Sequence, residues 1–244
     1  MTPNLVFLHG VGGSGEAWAP QARAFGEDYR VTSWTAPGYG GRPLPEDLSF
    51  AGLARHLIED LDAERFALVG HSFGGMVAQQ VAKDFPERLA CMVLSGTSPA
   101  FGNPDGDFQK RFIAERLEPL DAGKTMADLA PSIVESLVGD APDAQGLEIA
   151  RACMGAVPQE TYRAVLELIV TFDLRDALAS ITCPTLVLAG EKDTSAPAAM
   201  MERMAARIPG ARFAVLPGAG HLANLEQPDA FNTQLADFLK EHVS

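Results

Sequence analysis

Three residues of the chain, Ser72, Asp193 and His221, have the types and the order that nucleophilic acyl transfer requires. A serine hydroxyl is a weak nucleophile at neutral pH, so it needs a nearby base, and the base needs a third group to orient it. Histidine and an acid meet these two needs. The order serine, acid, histidine is expected where the serine lies on a strand-to-helix turn of a sheet.

The segment around Ser72 supports that position. Gly70-His71-Ser72-Phe73-Gly74 has the form G-x-S-x-G, and it lies between a predicted strand, Phe66–Val69, and a predicted helix, Gly74–Phe85. A sharp turn of this kind strains the serine backbone and needs small residues two positions away. A loop serine that only caps the next helix is the simpler alternative. The strand, the helix and the further Gly75 together favour a nucleophile.

The acid and the base follow two other predicted strands. Thr185–Ala189 leads to Asp193, and Arg212–Leu216 leads to His221. Taken alone, an aspartate in a loop is more often a turn former, and a histidine next to glycine is often only exposed. Because both residues follow the carboxyl end of a strand, we expect them on the same edge of the sheet as Ser72.

The chain contains other acids and histidines that could serve the same functions. Glu191 is the nearest rival acid. His9 and His71 lie beside glycines in the two motif loops, where we expect structural functions, and His56 and His242 lie on predicted helix surfaces. We therefore assign the acid to Asp193 and the base to His221.

The elements that must position these residues alternate between strands and helices, which predicts an α/β fold with a mostly parallel sheet of about six strands. The predicted strands are Asn4–Leu8, Arg30–Ser33, Phe66–Val69, Ala90–Leu94, Thr185–Ala189 and Arg212–Leu216. The predicted helices between and after them are Ala17–Phe25, Phe50–Leu61, Gly74–Phe85, Ala198–Ile208 and Asp229–Glu241.

The alternation stops between about Pro99 and Ser180. Helical patterns such as Phe108–Leu117 and Tyr162–Phe172 occur there, and no clear strand does. A helical insertion between two strands would lie over the strand ends, where ligands bind in open α/β folds.

Composition and charge exclude several function classes. The net charge is 19 − 32 = −13, and no Lys/Arg cluster occurs, so neither nucleic acid nor membrane partners are expected. No apolar run approaches the roughly 20 residues that cross a bilayer. Three widely spaced cysteines favour a reducing compartment. We expect a cytoplasmic protein that acts on a small molecule. The sequence contains no signal for a particular oligomeric state, so we make no prediction of it.

The loop after the first strand is compatible with two functions. Gly10-Val11-Gly12-Gly13-Ser14-Gly15 fits the dinucleotide pattern G-x-G-x-x-G. Such a site needs an acid about 20 residues further on, and the segment Ser33–Gly38 has none. The acyl-transfer hypothesis instead requires N–H donors for an oxyanion, of which the backbone N–H of Phe73 is one.

Taken together, these segments resemble the α/β-hydrolase family over almost the whole chain. The motifs that carry the resemblance are His9–Gly15, the turn at Ser72, Gly190-Glu191-Lys192-Asp193 and Gly220-His221. The resemblance implies a nucleophile, acid and base at Ser72, Asp193 and His221, with the backbone N–H of Val11 as the second oxyanion donor. It also implies a core of residues 1–98 and 181–244, a helical cap of residues 99–180, and no metal or cofactor.

The chain departs from that family in two places. Most members carry a β-hairpin before the strand that corresponds to Asn4–Leu8, so we expect a smaller sheet with Arg212–Leu216 at one edge. The turn Thr35–Arg42 also lacks the family's usual aspartate and serine. Neither departure involves the three reactive residues.

Two stretches bear on the substrate. His221–Pro228 and Gly74–Gln79 are similar to carboxylesterases and to 3-oxoadipate enol-lactonases. This resemblance implies a hydrolase of small carboxylic esters or lactones that forms an acyl-enzyme on Ser72. A C–C bond hydrolase of vinylogous diketones would use the same three residues, and the fold also serves as a non-catalytic binding protein.

The cap residues that could contact such a substrate form two groups. An arginine would suit a substrate carboxylate, and the candidates are Arg111, Arg116, Arg151 and Arg163. An apolar pocket wall could include Phe101, Phe108, Phe112, Met126 and Phe172. Solvated helix faces for the first group, and a core within the cap for the second, are the alternatives.

Overall fold

A single parallel sheet forms the centre of the molecule. In the computed structural model, which describes residues 2–102 and 105–243, the strands are β1 (Asn4–Leu8), β2 (Arg30–Trp34), β3 (Phe66–His71), β4 (Leu89–Ser95), β5 (Thr185–Gly190) and β6 (Arg212–Leu216). Their spatial order is β2-β1-β3-β4-β5-β6, and every neighbouring pair is parallel. The predicted six-stranded sheet with Arg212–Leu216 at one edge is confirmed.

The helices connect the strands and cover both faces of the sheet. They are α1 (Ala19–Phe25), α2 (Phe50–Asp60), α3 (Phe73–Asp84), α4 (Asp107–Asp121), α5 (Met126–Leu137), α6 (Ala144–Gly155), α7 (Gln159–Ile169), α8 (Ala198–Ala205), α9 (Ala223–Glu226) and α10 (Pro228–His242). Short 3₁₀ turns cover Gly15–Trp18, Pro86–Arg88 and Arg175–Ser180.

Alternate residues of each strand point to opposite faces, so the sheet separates two apolar cores. On one face, Leu5 and Phe7 of β1 pack with residues of α1 and α10, and the Trp18 ring stacks on Phe7 at 4.7 Å. On the other face, Val6 and Leu8 pack with residues of α2, α3 and α8. Because both faces are covered, the central strands are continuous apolar runs.

The segment between β4 and β5 is helical in its described part. It contains α4, α5, α6 and α7, and its strand-like pairing there is limited to an isolated bridge between Ala100 and Asp173. A capping box between Thr125 and Asp128 begins α5, and the Asp143 side chain caps α6. The prediction of helices rather than strands in this segment agrees with the structure.

The direction of the connections distinguishes one edge of the sheet from the other. From β1 the chain moves outward to β2, and it then crosses back to β3 on the other side of β1. The loops after β1 and β3 therefore diverge at the carboxyl ends of adjacent strands, which is where open α/β sheets bind ligands. Among the described residues, no helix is long and apolar enough to cross a membrane.

Candidate active site

Ser72 lies on a sharp turn between β3 and α3. Its backbone has φ 52° and ψ −117°, and no other non-glycine residue in the described part of the chain has a positive φ. The Ser72 N–H donates to the Ser95 carbonyl at 2.9 Å, and the Thr97 hydroxyl donates to the Ser72 carbonyl at 2.8 Å. These bonds to β4 and to the loop after it hold a strained conformation that costs about 1–3 kcal/mol.

Small residues around Ser72 allow this turn to form. A Cβ atom on Gly70 would lie 2.5 Å from the Gly74 carbonyl oxygen, and one on Gly74 would overlap the Leu8 carbonyl group of β1. Backbone atoms cannot move aside as a flexible side chain can. The G-x-S-x-G pattern therefore has a steric cause here, and Ser72 itself remains partly exposed between buried neighbours.

Ser72, His221 and Asp193 form a hydrogen-bonded chain. The Ser72 Oγ lies 3.1 Å from Nε2 of His221, and Nδ1 of His221 lies 2.8 Å from Oδ2 of Asp193. Because a carboxylate only accepts, Nδ1 carries the imidazole proton and Nε2 accepts from the Ser72 hydroxyl. The structure thus brings together the three residues that the sequence placed after β3, β5 and β6.

Asp193 is shielded from water and is held by more than the histidine. Its side chain is fully buried, and its second oxygen, Oδ1, accepts from the amides of Ser195 at 2.8 Å and Ala196 at 2.9 Å. Burial alone would raise the pKa of Asp193, but the hydrogen bond and charge of His221 and the two amides hold it below its ordinary value. The carboxylate is therefore ionised at neutral pH.

The loop after β1 lies directly beside Ser72. A Cβ atom on Gly10 would be only 3.3 Å from the Ser72 Cβ, and the Gly13 amide donates to the Gly10 carbonyl at 3.0 Å, which makes a tight turn around Val11. Within residues 2–102 and 105–243, the backbone N–H groups of Val11 and Phe73 donate to no protein acceptor. Both predicted oxyanion donors are therefore available beside the serine.

Two further histidines support the site. His9 is buried, its Nδ1 donates to the Gly10 carbonyl at 2.8 Å, and its Nε2 accepts from the Ala36 amide at 3.1 Å. The His71 ring lies 4.9 Å from the His221 ring. Burial lowers the pKa of His9 to about 4, and burial together with the charge of His221 lowers that of His71 to about 3. Both stay neutral; His9 joins the loop after β1 to the loop after β2, and His71 packs against His221.

The remaining candidate acid lies elsewhere. Glu191 is exposed, and its carboxylate accepts from the Gly218 amide at 2.8 Å, whereas the carboxylate that accepts from His221 is that of Asp193. Within the described ranges, no three His, Cys, Asp or Glu side chains form a group that could hold a metal ion.

The four arginines considered for a substrate carboxylate have different surroundings. Arg163 pairs with Asp121, and Arg116 stacks on Phe112, with its guanidinium carbon 3.7 Å from the ring centroid. Arg111 and Arg151 are exposed. Burial lowers the pKa of Arg116, which stays far above neutrality as for any arginine in a protein.

The apolar residues of the helical insertion fall into two sets. Phe172 is buried against Phe50, and Met126 is buried at the start of α5. Phe101 packs edge-on against Phe112 at 4.6 Å, whereas Phe108 is 60% exposed. Part of this group therefore belongs to the interior and part lies at the surface.

Helix α6 reaches the loop after β1, a contact that the sequence did not predict. A Cβ atom on Gly12 would overlap the Met154 side chain, and the Ser14 Oγ lies 3.8 Å from the Cys153 Sγ. The small residues of the Gly10–Gly15 loop thus make room for this helix.

The fold and this site define a class of protein, and comparisons with known proteins agree with it. The profile of the alpha/beta hydrolase family matches residues 5–234. The chain belongs to the α/β-hydrolase family and is a hydrolase of that fold.

Individual relatives extend over nearly the whole chain. A Klebsiella pneumoniae protein named "Putative carbamate hydrolase RutD" is 31% identical, over 97% of this chain and 91% of its own length. A hydrolase from Pseudomonas aeruginosa has a solved structure with a TM-score of 0.85 at 30% identity, covering 98% of this chain and 90% of that one. The enol-lactonase from Burkholderia xenovorans has a TM-score of 0.84 at 26% identity, with 98% and 92% covered.

Proposed function

We propose that the chain is a serine hydrolase that cleaves a small carboxylic ester or lactone through an acyl-enzyme on Ser72. One observation carries the proposal: the hydrogen-bonded chain from the Ser72 hydroxyl through His221 to the buried carboxylate of Asp193. Membership of a hydrolase family agrees with this proposal. The set of groups also supports it, because serine, histidine and an acid in this arrangement perform acyl transfer on several unrelated folds.

In the first half of the reaction, the ester carbonyl carbon is attacked by the Ser72 oxygen. Nε2 of His221 takes the hydroxyl proton as the new C–O bond forms. The same Nε2 then gives this proton to the leaving alkoxide as the old C–O bond breaks. The products are an acyl ester on Ser72 and a free alcohol; in a lactone the alcohol stays attached to the acyl group.

In the second half, water replaces the alcohol. His221 removes a proton from water, the hydroxide oxygen bonds to the acyl carbon, and the protonated serine oxygen leaves. Asp193 stays ionised throughout and stabilises the imidazolium that forms twice per cycle. Its low pKa, which is due to His221 and two backbone amides, suits this function.

The tetrahedral intermediates place negative charge on the former carbonyl oxygen. We assign its two donors to the backbone N–H groups of Val11 and Phe73, which lie beside Ser72 without a protein acceptor in the described part of the chain. Phe73 is also the first residue of α3, so the positive end of the helix dipole adds to its N–H. Losing one such donor typically costs about 10²–10³ in rate.

We also propose that residues 99–180 form a cap that shapes the substrate site, on a core of residues 1–98 and 181–244. Two contacts support this. Met154 of α6 packs against Gly12 in the Gly10–Gly15 loop, which carries the proposed donor Val11. The His221 N–H donates to the carbonyl of Leu137, the last residue of α5, at 2.7 Å. The insertion therefore contacts two of the loops that carry reactive groups.

A carbamate is the second candidate substrate, because that word is in the name of the 31% identical relative. Esters, lactones and carbamates all present a carbonyl carbon with a leaving group, so one mechanism serves all three. Their relative turnover separates the candidates.

The test is a panel of substrates with the native protein and a Ser72→Ala variant. Initial rates would be measured with p-nitrophenyl acetate, butyrate and octanoate, with p-nitrophenyl dimethylcarbamate, and with simple γ- and δ-lactones. We expect turnover of the short esters or lactones, and a loss of at least about 10³-fold in kcat in the variant, because the nucleophile is removed.

Ser180→Ala is the matched control. Ser180 is exposed at the end of the 3₁₀ turn before β5, and its hydroxyl donates to the Ala177 carbonyl, so this variant loses a hydroxyl that is bonded to none of the three proposed catalytic residues. Circular dichroism and thermal unfolding would establish that both variants fold. Wild-type rates in a folded Ser72→Ala variant would refute the proposed function.

A further inference from the structure

A buried glutamate lies five residues after the proposed base. Glu226 ends α9 and is 2% exposed. Its Oε2 accepts from the amides of Gly139 at 2.7 Å and Gly220 at 2.8 Å, and its Oε1 accepts from the amide of Leu222 at 2.9 Å. Within the described residues no Lys, Arg or His forms an ion pair with it, so its charge is balanced by backbone dipoles.

Two of these amides are the neighbours of His221 on either side. Gly220 precedes His221 and Leu222 follows it, and both donate to the one carboxylate. The His221 N–H itself donates to the Leu137 carbonyl at 2.7 Å. Three consecutive amides are thus held, so the backbone from which the imidazole extends has little freedom to move.

The third amide belongs to the insertion. Gly139 lies between α5 and α6, and a Cβ atom there would overlap the Gly218 carbonyl oxygen, so the two backbones are in direct contact. The Asp140 N–H donates to the Gly218 carbonyl, and the Asp143 N–H donates to the Glu226 carbonyl, both at 2.9 Å. Glu226 therefore joins the α5–α6 loop to the loop that carries His221.

Burying a carboxylate is unfavourable unless hydrogen bonds replace its hydration. Three charge-assisted bonds from N–H groups do so here, and each is stronger than a bond between neutral groups. A glutamine has nearly the same shape, but it keeps one oxygen, and its NH₂ group would face an N–H donor. The negative charge and both oxygens are therefore needed to hold both sides of His221.

We propose that Glu226 is a positioning residue for the base: it fixes the His221 loop so that Nε2 faces the Ser72 hydroxyl. This inference rests on the proposed acyl-transfer function. A misplacement of about 1 Å in a catalytic group can reduce the rate about 10²-fold. Because the effect acts through the base rather than through substrate contacts, it lowers kcat and changes KM little.

The experiment compares Glu226→Gln with Glu191→Gln. Glu191 also accepts an amide of the same loop, that of Gly218 at 2.8 Å, but it is exposed and does not bond to a neighbour of His221. Both variants remove one negative charge from this region. A difference in kcat between them therefore reports the position of the glutamate and not the loss of charge alone. The substrate is p-nitrophenyl acetate, and the His221 Nδ1–H bonded to Asp193 is followed by its low-field proton NMR signal.

For Glu226→Gln we expect a decrease in kcat of about 10- to 100-fold, a KM within about 3-fold of wild type, and a broadened or lost Nδ1–H signal. For Glu191→Gln we expect a wild-type kcat and a sharp signal. A folded Glu226→Gln protein with wild-type kcat and a sharp signal overturns the proposal. An equal decrease in both variants also overturns it, because charge would then be the cause.

A measurement on the unmodified protein covers the case in which Glu226→Gln does not fold. Amide hydrogen exchange should place Gly139, Gly220 and Leu222 among the slowly exchanging loop amides, and rapid exchange of Gly220 and Leu222 would contradict the restraint. The two proposals fail separately. If Ser72→Ala keeps activity, the proposed function fails; if Ser72→Ala is inactive and Glu226→Gln is fully active, only the positioning function fails.

Discussion

At the scale of single residues, the site depends on groups whose protonation is set by their surroundings. Asp193 is held ionised by His221 and two amides, whereas His9 and His71 are held neutral by their surroundings. A neutral His71 places no competing positive charge next to His221 when the imidazolium forms. The motif around Ser72 predicts a nucleophile there, but only the folded chain shows that His71 contacts His221, the proposed base.

The low pKa of His71 has a consequence for stability. Its pKa is about 3 in the folded protein and 6.5 ordinarily, so between these values the unfolded chain binds a proton that the folded chain does not. The free energy of unfolding therefore falls as the pH decreases through this window, with a slope of up to about 1.4 kcal/mol per pH unit from this residue. His9 adds a similar slope between 6.5 and about 4.

A His71→Gln variant tests this consequence. Glutamine does not titrate, so the free energy of unfolding should fall less steeply between pH 7 and pH 5 than in the wild type. Urea denaturation at several pH values in this range gives both slopes, and comparing slopes removes any constant effect of the substitution. Parallel slopes would mean that His71 is not held neutral by the fold.

At the scale of elements, the parts that follow from local pattern were predictable. The six predicted strands agree with the structure within two residues at each end, because apolar runs between turn residues are a strong signal. The prediction Tyr162–Phe172 was wrong at both boundaries, since α7 covers Gln159–Ile169. Phe172 lies in the loop after α7 and packs against Phe50 of α2. Its apolar side chain therefore reflects tertiary packing, although its spacing in the sequence matches a helical repeat.

The turn between β3 and α3 also makes a prediction at this scale. A Gly74→Ala substitution puts a methyl group against the Leu8 carbonyl of β1, which cannot yield. Overpacking of this kind costs about 1–3 kcal/mol, or roughly 2–12 °C in melting temperature for a chain of this size. Thermal unfolding measures the decrease.

Gly155→Ala is the control for that substitution. A Cβ atom on Gly155, at the end of α6, has its nearest neighbour at an ordinary 3.4 Å. Alanine also favours a helix over glycine by up to about 1 kcal/mol, so this variant should melt at or above the wild-type temperature. If both variants behave alike, the close approach at Gly74 does not restrict the turn.

At the scale of the whole molecule, the site depends on contacts between distant segments. The loops after β1 and β3 begin side by side because the chain crosses from β2 back over β1 to β3. The sequence predicted a parallel sheet with Ser72, Asp193 and His221 on one edge, but it did not predict this strand order. The contact between Gly139 and Glu226, 87 residues apart, leaves no periodic trace in the sequence. Its only visible sign was the acidic residue within the His221–Pro228 stretch.

The helical insertion shows the same limit. Its helical character was predictable, and the Thr125–Asp128 cap is a local signal that could have placed the start of α5. The packing of Met154 against the Gly10–Gly15 loop was not predictable, because it depends on how the whole insertion packs on the sheet. Local pattern thus predicts the elements, and long-range backbone contacts decide their arrangement.

The most direct test of the proposed nucleophile is covalent labelling with a fluorophosphonate, followed by peptide mass spectrometry. We expect one phosphonyl group per chain, on the peptide containing Ser72, and no labelling of Ser72→Ala or of heat-unfolded protein. The reaction needs only the serine, its base and the oxyanion donors, so it does not depend on knowing the substrate. A folded protein that remains unlabelled, or that is labelled at another residue, would contradict the account.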